Sequence, residues 1–526
     1  MLGILIVLWW VVATFAAVVL TSLMVAGTAA IVLALRDRSA RTRVAGGAPP
    51  GRATFIVRRR LVLALAACTA TWLGLEALGG AFLLWNRPGR IPPLSFELPA
   101  SPSGEVSVVA IGGSTTLGAP YHARLSFAHI VGWRLAAMFP DLRITVDNLA
   151  FGGATIDDMY EKLRGLTTRP DVLIVYTGHN EFLRYPPDRE AGTPYYGAAV
   201  PSLLARAIAA QIERLGAHEG PQWKGRRRRF DRPVCTAAER EYIYGRFAAL
   251  LERILQAARV AGSLAIVFEP ASNESGFAPN RSVLPEEMPV HVRHHLERLY
   301  GRLDLSGLRP RAARRLLQEA RRLAPAFAET WFRLGRWYET AGRAAPARSC
   351  YRRARDLDGF PVRATSQIIS STRAAAARQG AVLLEAEEIM AATAGSRILG
   401  DDVIHDNCHP NLATHVALAN AVLHELRRRA IPQAWPGADG RTGTAETAHY
   451  ATVAAVAERF GMDRESWIRL CEEEAGFYEY LGAYTYAREP RVARGRAYRA
   501  AASRLRDGTA PSAAGIPAME VPRFWR

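Results

Sequence analysis

The sequence predicts an α/β fold built on a parallel sheet, and three observations carry that prediction. Short β-branched or apolar runs recur at 106–111, 144–148, 171–176 and 264–268. Each of these runs leads into a turn rich in glycine, asparagine or serine, and helix-like stretches such as 127–138 lie between them. Strands alternating with helical segments are the pattern of a sheet covered by helices. The run DVLIVY at 171–176 is almost wholly apolar, as a parallel strand buried on both faces should be.

Composition sets the outer bounds. The 526 residues are 49% hydrophobic and 22% charged, enough to fill real cores in several domains. That excludes a wholly disordered chain, a collagen-like chain and a small disulfide-stapled scaffold. The net charge of +18 invites a nucleic-acid reading, but Lys162 and Lys224 are the only lysines. Such an arginine bias, beside abundant alanine, fits codon composition better than a DNA-binding face. Cys68, Cys235, Cys350, Cys408 and Cys471 are scattered, with no CxxC, so no disulfide framework or paired metal ligands are indicated.

The N-terminal part reads as membrane anchor. Residues 2–35 contain no charge and 61–85 contain only Glu76, each longer than the roughly 20 apolar residues that span a bilayer. The first lacks a basic leader, and its apolar run exceeds a signal-peptide core of about 7–15 residues. Between them lie Arg36, Arg38, Arg41, Arg43, Arg52, Arg58, Arg59 and Arg60 against a single Asp37. The positive-inside rule makes that loop cytoplasmic and everything after Trp85 extracytoplasmic. The expected organisation is a transmembrane helix at 1–35, an Arg-rich cytoplasmic loop at 36–60 and a transmembrane helix at 61–85. A Pro-rich linker follows at 86–103, holding Pro88, Pro92, Pro93, Pro99 and Pro102.

The strand at 106–111 runs into Gly112, Gly113, Ser114, Thr115, Thr116, Leu117 and Gly118, then a helix. Strand, glycine-lined turn and helix is how an α/β fold presents a nucleophile at the carboxyl end of a strand. A phosphate cradle is the rival, yet GGSTTLG has neither a GK[ST] ending nor GxGxxG spacing. Further on come NLAFGGAT with Gly152 and Gly153, then Gly178-His179-Asn180-Glu181, then Ser272-Asn273. Last comes Asp406-Asn407-Cys408-His409-Pro410, ahead of an apolar-periodic helix at 412–426.

Ser114 in GGST, Gly153 in NLAFGGAT, Asn180 in GHNE and Asp406-x-x-His409 resemble, in order, the four blocks of the SGNH (GDSL-type) hydrolases. The resemblance spans roughly 106–429. It implies a flavodoxin-like three-layer domain with a parallel sheet that hydrolyses, or sometimes transfers, an ester-linked acyl group. It implies Ser114 as nucleophile and an oxyanion hole made by the Ser114 N–H, the Gly153 N–H and the Asn180 amide. The chemistry agrees: serine needs a base, His409 can be that base, and Asp406 three residues earlier can orient it. An asparagine amide donates without adding a charge that would perturb the base. One departure is Gly113, where many members carry aspartate. No cofactor is implied.

Plainer readings stand beside these. Asn180 can simply cap its turn, Gly153 can serve backbone geometry alone, and His179 can pack or contact ligand. His405, Asp406, Cys408, His409 and His415 are dense enough to raise a zinc site. HDNCH is not HExxH, however, and Pro410 opposes a helix presenting His405 and His409 together, so no metal is expected.

Trp331, Leu334, Gly335, Tyr338, Ala347, Tyr351 and Ala354 fall at tetratricopeptide-like (TPR-like) offsets, and 34 residues earlier Ala313, Leu317, Ala320 and Pro325 repeat the second-helix pattern. Tyr478, Leu481, Gly482, Tyr498 and Ala501 give a fainter match. About three repeats are needed for a free-standing solenoid, so these hairpins are expected to pack on the main domain. They serve either as a structural cap or as a surface for a protein partner. The domain expectation is a first hydrolase part at 104–289 with a lid-like insertion at 184–238, and a TPR-like insertion at 290–360. A last hydrolase part at 361–432 and a weakly TPR-like helical extension at 433–526 complete it. Trp223, Lys224 and Arg226–Arg229 form a basic run in the lid region, suited to anionic glycan or lipid head groups or simply solvated.

The hydrolase blocks, Ser272-Asn273 and the inserted repeat together resemble a membrane-anchored bacterial subgroup. That resemblance implies an esterase of the inner membrane, its catalytic domain facing the periplasm and acting on an ester-bearing envelope glycan or lipid. Nucleic acid is excluded by that topology. The alternatives are an O-acyltransferase using the same serine, or a non-catalytic glycan- or protein-binding scaffold.

Overall fold

In a computed structural model of the chain, the apolar runs pair into one five-stranded sheet, every strand parallel to its neighbours. The structure describes residues 104–122, 124–183, 235, 237–285, 287–304, 309–433, 435, 450–482 and 488–508, with Gly74, Ala77 and Leu78 further forward. The chain divides into two units, Met1–Pro92 with Arg189–Gly225 and Pro93–Asp188 with Arg226–Arg526. All elements below belong to the second; of the first only Gly74, Ala77 and Leu78 are described, each helical.

In chain order the sheet domain begins with β1 (Glu105–Gly112), α1 (Ser114–Leu117), α2 (Phe127–Met138), β2 (Arg143–Asn148), α3 (Ile156–Arg164) and β3 (Val172–Tyr176). It continues with α4 (Ala237–Ala261) and β4 (Leu264–Glu269). Four helices follow, α5 (Val290–Leu303), α6 (Pro310–Leu323), α7 (Ala328–Thr340) and α8 (Ala344–Asp356). The sheet resumes through α9 (Ser366–Gln379), β5 (Val382–Glu385), α10 (Ala386–Ala394) and α11 (Leu412–Arg428). The chain then closes with α12 (Val453–Arg459), α13 (Arg464–Gly482) and α14 (Arg488–Arg506).

The strand order is β2-β1-β3-β4-β5. All five residues of β3 are buried because helices cover both faces of the sheet. Alternate side chains Val108, Ala110, Ile174, Tyr176, Ile266 and Phe268 join a core with α2, α10 and α11. On the opposite face α4 packs against both α3 and α9, with α4 and α9 on β4 and α3 on β1. The helix starts are marked locally: Ser126 accepts from the His129 N–H, Thr155 and Asp158 form a capping box, and Asn411 accepts from the Thr414 N–H.

The four predicted strands are present, and a fifth, β5, escaped the sequence reading. It is a four-residue edge strand, half-buried, running straight into α10. Apolar runs that short do not announce their period.

Helices α5 to α8 occupy the stretch expected to resemble a repeat. Leu334, Ala347 and Tyr351 are buried there, with Trp331 and Tyr338 half-buried at their edge. A Cβ on Gly335 would come within 2.6 Å of the Tyr351 ring, so glycine sets the closest approach of α7 to α8. Phe332, Ala347 and Tyr351 share a cluster with Ala278 and Ile398 of the sheet domain. Arg352 pairs with Glu274 at 3.3 Å and with Glu387 at 2.5 Å.

The apolar stretches 1–35 and 61–85 (beyond the three residues named), the Arg-rich loop 36–60, the linker 86–103 and the basic run around Trp223 lie outside the described residues. So does nearly all of the lid-like insertion, of which Cys235 and the start of α4 are described. Among the described residues no helix is long and apolar enough to cross a membrane.

Candidate active site

An open parallel sheet binds its ligands at the carboxyl ends of the strands, where the strand order reverses. In this sheet that reversal lies between β1 and β3, and both strands end in candidate site residues. Ser114 opens α1 directly after β1, and Thr177 to Glu181 follow β3.

The Ser114 Oγ lies 2.6 Å from His409 Nε2, and His409 Nδ1 lies 2.5 Å from Asp406 Oδ2. With the proton on Nδ1 donated to Asp406, Nε2 is left to accept from the serine hydroxyl. The other Asp406 oxygen accepts from the Cys408 N–H at 3.0 Å and the His409 N–H at 2.9 Å. Asp406 is 1% exposed. Burial alone would raise its pKa, but the His409 imidazole and these N–H groups outweigh burial and hold the carboxyl below its usual range.

A tight loop delivers both residues. Ile404 and Pro410 form an antiparallel bridge, and the His405 N–H donates to the His409 carbonyl at 2.8 Å. The Asn407 carbonyl accepts from the Asn273 N–H, and the Asn407 amide donates to the Val362 carbonyl at 2.5 Å. Thr115 Oγ1 reaches the Cys408 carbonyl at 3.3 Å, tying the serine turn to the histidine loop.

Of the three expected oxyanion donors, the Asn180 amide lies against Gly113, the residue before the serine. Asn180, 9% exposed, donates one amide hydrogen to the Ala154 carbonyl at 3.0 Å, which leaves its second N–H. The Ser114 and Gly153 N–H groups have no hydrogen-bond acceptor among the described residues. Gly153 adopts φ +75°, a left-handed conformation that turns the chain here. The Glu181 carboxylate accepts from the Ile156 N–H at the start of α3, so the turn after β3 grips the Gly153 loop.

His405 and His415 of the histidine-dense region, and His179 after β3, make other contacts. His405 is fully buried, and burial holds its pKa down at about 3. His415 stacks on Phe127 at 6.3 Å and also stays neutral in its apolar setting, with a pKa lowered to about 3 by burial. His179 accepts from the Ala364 N–H at 3.3 Å and packs edge-on against Tyr176.

Asp406, Cys408 and His409 do offer ligand atoms within 4.8 Å of one another. Both His409 ring nitrogens are already engaged, however, and burial followed by the Asp406 charge pushes the Cys408 thiol well up, away from a coordinating thiolate. The donor set fits a proton relay better than a metal.

Sequence reasoning missed Tyr121, Glu474, Tyr478 and Tyr498, which surround the loop carrying Asp406 and His409. Tyr478 and Tyr498 were legible only as faint repeat positions, a signal that says nothing about which residue their hydroxyls meet.

No family model matches the chain, and a search of curated proteins finds no match. Several solved structures show a likeness. LAE5, described as an α/β hydrolase enzyme from the metagenome of Lake Arreo, Spain, is 15% identical, covering 62% of this chain and 95% of its own, at a TM-score of 0.30. The Axe2 acetylxylan esterase of Geobacillus stearothermophilus is 13% identical over 63% of this chain and 96% of its own, at 0.31. BT4096, a gut microbial diltiazem-metabolizing enzyme, is 14% identical over 62% and 48%, at 0.26. The chemistry has to be read from the site itself.

Proposed function

We propose that this chain is a serine esterase of SGNH type, anchored in a bacterial membrane and acting on an ester-linked acyl group of the cell envelope. The observation that carries the esterase reading is the unbroken relay from Ser114 Oγ through His409 to Asp406. The Ser114 N–H, the Gly153 N–H and the Asn180 amide are the donors assigned to the oxyanion. The anchoring rests on the two charge-poor stretches and the arginine-rich segment between them.

In this mechanism Ser114 Oγ attacks the ester carbonyl carbon while His409 Nε2 takes the hydroxyl proton. Asp406 steadies the resulting imidazolium through Nδ1–H. The carbonyl oxygen, now an oxyanion, is met by the three donors. As the tetrahedral intermediate collapses, His409 gives its proton to the departing alkoxide, leaving an acyl-serine and a free alcohol. Water then attacks the acyl-serine, with His409 accepting its proton and returning it to Ser114 Oγ as the acid leaves.

The test is hydrolysis of a simple aryl acetate together with labelling by a fluorophosphonate probe. Ser114→Ala and His409→Ala should each lose about 10³–10⁶ in turnover, and Ser114→Ala should lose the label entirely. Undiminished hydrolysis by Ser114→Ala would sink the proposal.

A further inference from the structure

Far along the chain, two tyrosine hydroxyls converge on one carbonyl oxygen beside the candidate relay. Tyr478 of α13 donates to the His405 carbonyl at 2.9 Å, and Tyr498 of α14 donates to the same oxygen at 3.1 Å. A carbonyl has two lone pairs, and both are filled here. Tyr498 Oη also lies 3.2 Å from His405 Nδ1, while Tyr121 Oη lies 3.0 Å from Nε2. Tyr478, Tyr498 and His405 are each at most 1% exposed.

This convergence is itself buttressed. The Tyr478 and Tyr498 rings stack at 5.9 Å with 22° between their planes. The Arg494 guanidinium lies over both, 6.0 Å and 5.2 Å from their centroids, and pairs with Asp401 at 3.0 Å. Glu474, one turn before Tyr478 on α13, is buried, and burial together with the Asp406 charge raises its pKa well above the usual range. Burial and the Asp406 charge thus both disfavour a second negative charge beside Asp406.

Packing does not require the hydroxyls, since phenylalanine rings would fill the same space. What the hydroxyls add is a fixed orientation for the peptide unit that joins His405 to Asp406. We propose that the α13–α14 hairpin is a working part of the active site, in which Tyr478 and Tyr498 are positioning residues that hold the Asp406 carboxylate against His409. The inference rests on the esterase reading above, because it assigns these residues to that same relay.

The experiment compares full-length wild type with Tyr478→Phe, Tyr498→Phe and the double variant. For each, kcat and KM on an aryl acetate, melting temperature and the downfield proton resonance of the His409–Asp406 hydrogen bond are measured. Misplacing a catalytic group by about 1 Å can cost 10²-fold. The double variant should accordingly lose roughly 10- to 100-fold in kcat with KM nearly unchanged, and its downfield resonance should shift or broaden. A double variant with wild-type kcat per folded molecule and an unaltered resonance overturns the proposal and leaves the hairpin purely structural. If the double variant does not fold, the single variants give the same two readouts. If wild type shows no Ser114-dependent turnover, the esterase reading fails by itself. The resonance then still decides whether the tyrosines position Asp406 against His409.

Discussion

The side-chain amide of Asn180 occupies the space that a side chain on residue 113 would need. A Cβ built on Gly113 would fall 2.5 Å from Asn180 Nδ2, closer than non-bonded atoms tolerate. Glycine at position 113, immediately before Ser114, leaves that space to the amide.

That contact makes a specific prediction. Gly113→Ala should push the Asn180 amide aside while leaving the Ser114–His409–Asp406 hydrogen bonds in place. Asn180→Ala should cost roughly 10²–10³ in kcat, or about 3–4 kcal/mol of transition-state stabilisation, with KM little changed. Gly113→Ala should lose turnover in the same direction, and combining the two changes should cost no more than Asn180→Ala alone. Steady-state kinetics on one aryl ester decides this. Additive losses would mean that Gly113 acts through something other than Asn180.

The sheet and the relay were legible for different physical reasons. β1, β3 and β4 show as apolar runs because strands covered on both faces must be apolar, β3 being the clearest case. The partly exposed edge strand β2 shows instead through its β-branched Ile144, Thr145 and Val146. Asp406 and His409 show because their pairing is local, three residues apart on one loop. Ser114 shows because its strand, glycine-lined turn and helix stand first in an ordered set of four blocks, the turn alone being a common arrangement. Tyr478 and Tyr498 did not show, since their partner lies 73 and 93 residues away and their spacing also suits a helix hairpin. β5 stayed hidden because four half-buried residues next to a helix carry no readable period.

The buried carboxyls predict opposite pH dependences. Glu474 has a folded-state pKa raised well above its ordinary 4.5. Its stabilising contribution is therefore complete below about pH 4.5 and is lost as pH rises through the folded value. Asp406, lowered from 3.8, contributes above its ordinary value and loses that contribution as pH falls through the folded one. Glu474→Gln removes the first dependence and keeps the second. The variant should gain melting temperature relative to wild type as pH rises from 4.5 to 8, and both proteins should weaken on strong acidification. Parallel melting curves across that range would show that Glu474 ionises no differently when folded.

The proposed membrane topology makes its own prediction. A single cysteine placed within 36–60 should resist impermeant thiol reagents in intact cells, and one placed at Ser103 should react. The native Cys235, Cys350, Cys408 and Cys471 are buried and unbridged, so they should contribute little background in folded protein. Labelling of the 36–60 position with protection at 103 would reverse the orientation and put the candidate site in the cytoplasm.

The helical insertion is tested by its tightest contacts. Ala347 is fully buried in the cluster that joins α8 to the sheet domain, among Phe332, Tyr351, Ala278 and Ile398. Gly335 lies against the Tyr351 ring, whose hydroxyl is anchored on Glu339 at 2.5 Å and so cannot swing freely aside. Ala347→Leu should overpack this junction at a typical cost of about 1–3 kcal/mol. Gly335→Ala has two opposed effects, a gain of about 0.5–1 kcal/mol in helix propensity and a steric loss against the ring. The anchored ring makes the steric loss the larger, so this variant should also melt lower than wild type. Arg322→Ala, an exposed position on α6 outside these contacts, should stay within about 0.5 kcal/mol of wild type. Thermal melts of the three variants make the comparison. A stabilised Gly335→Ala protein would mean that the α7–α8 contact is looser than its geometry indicates, and an unchanged Ala347→Leu protein would mean the same for the junction with the sheet domain.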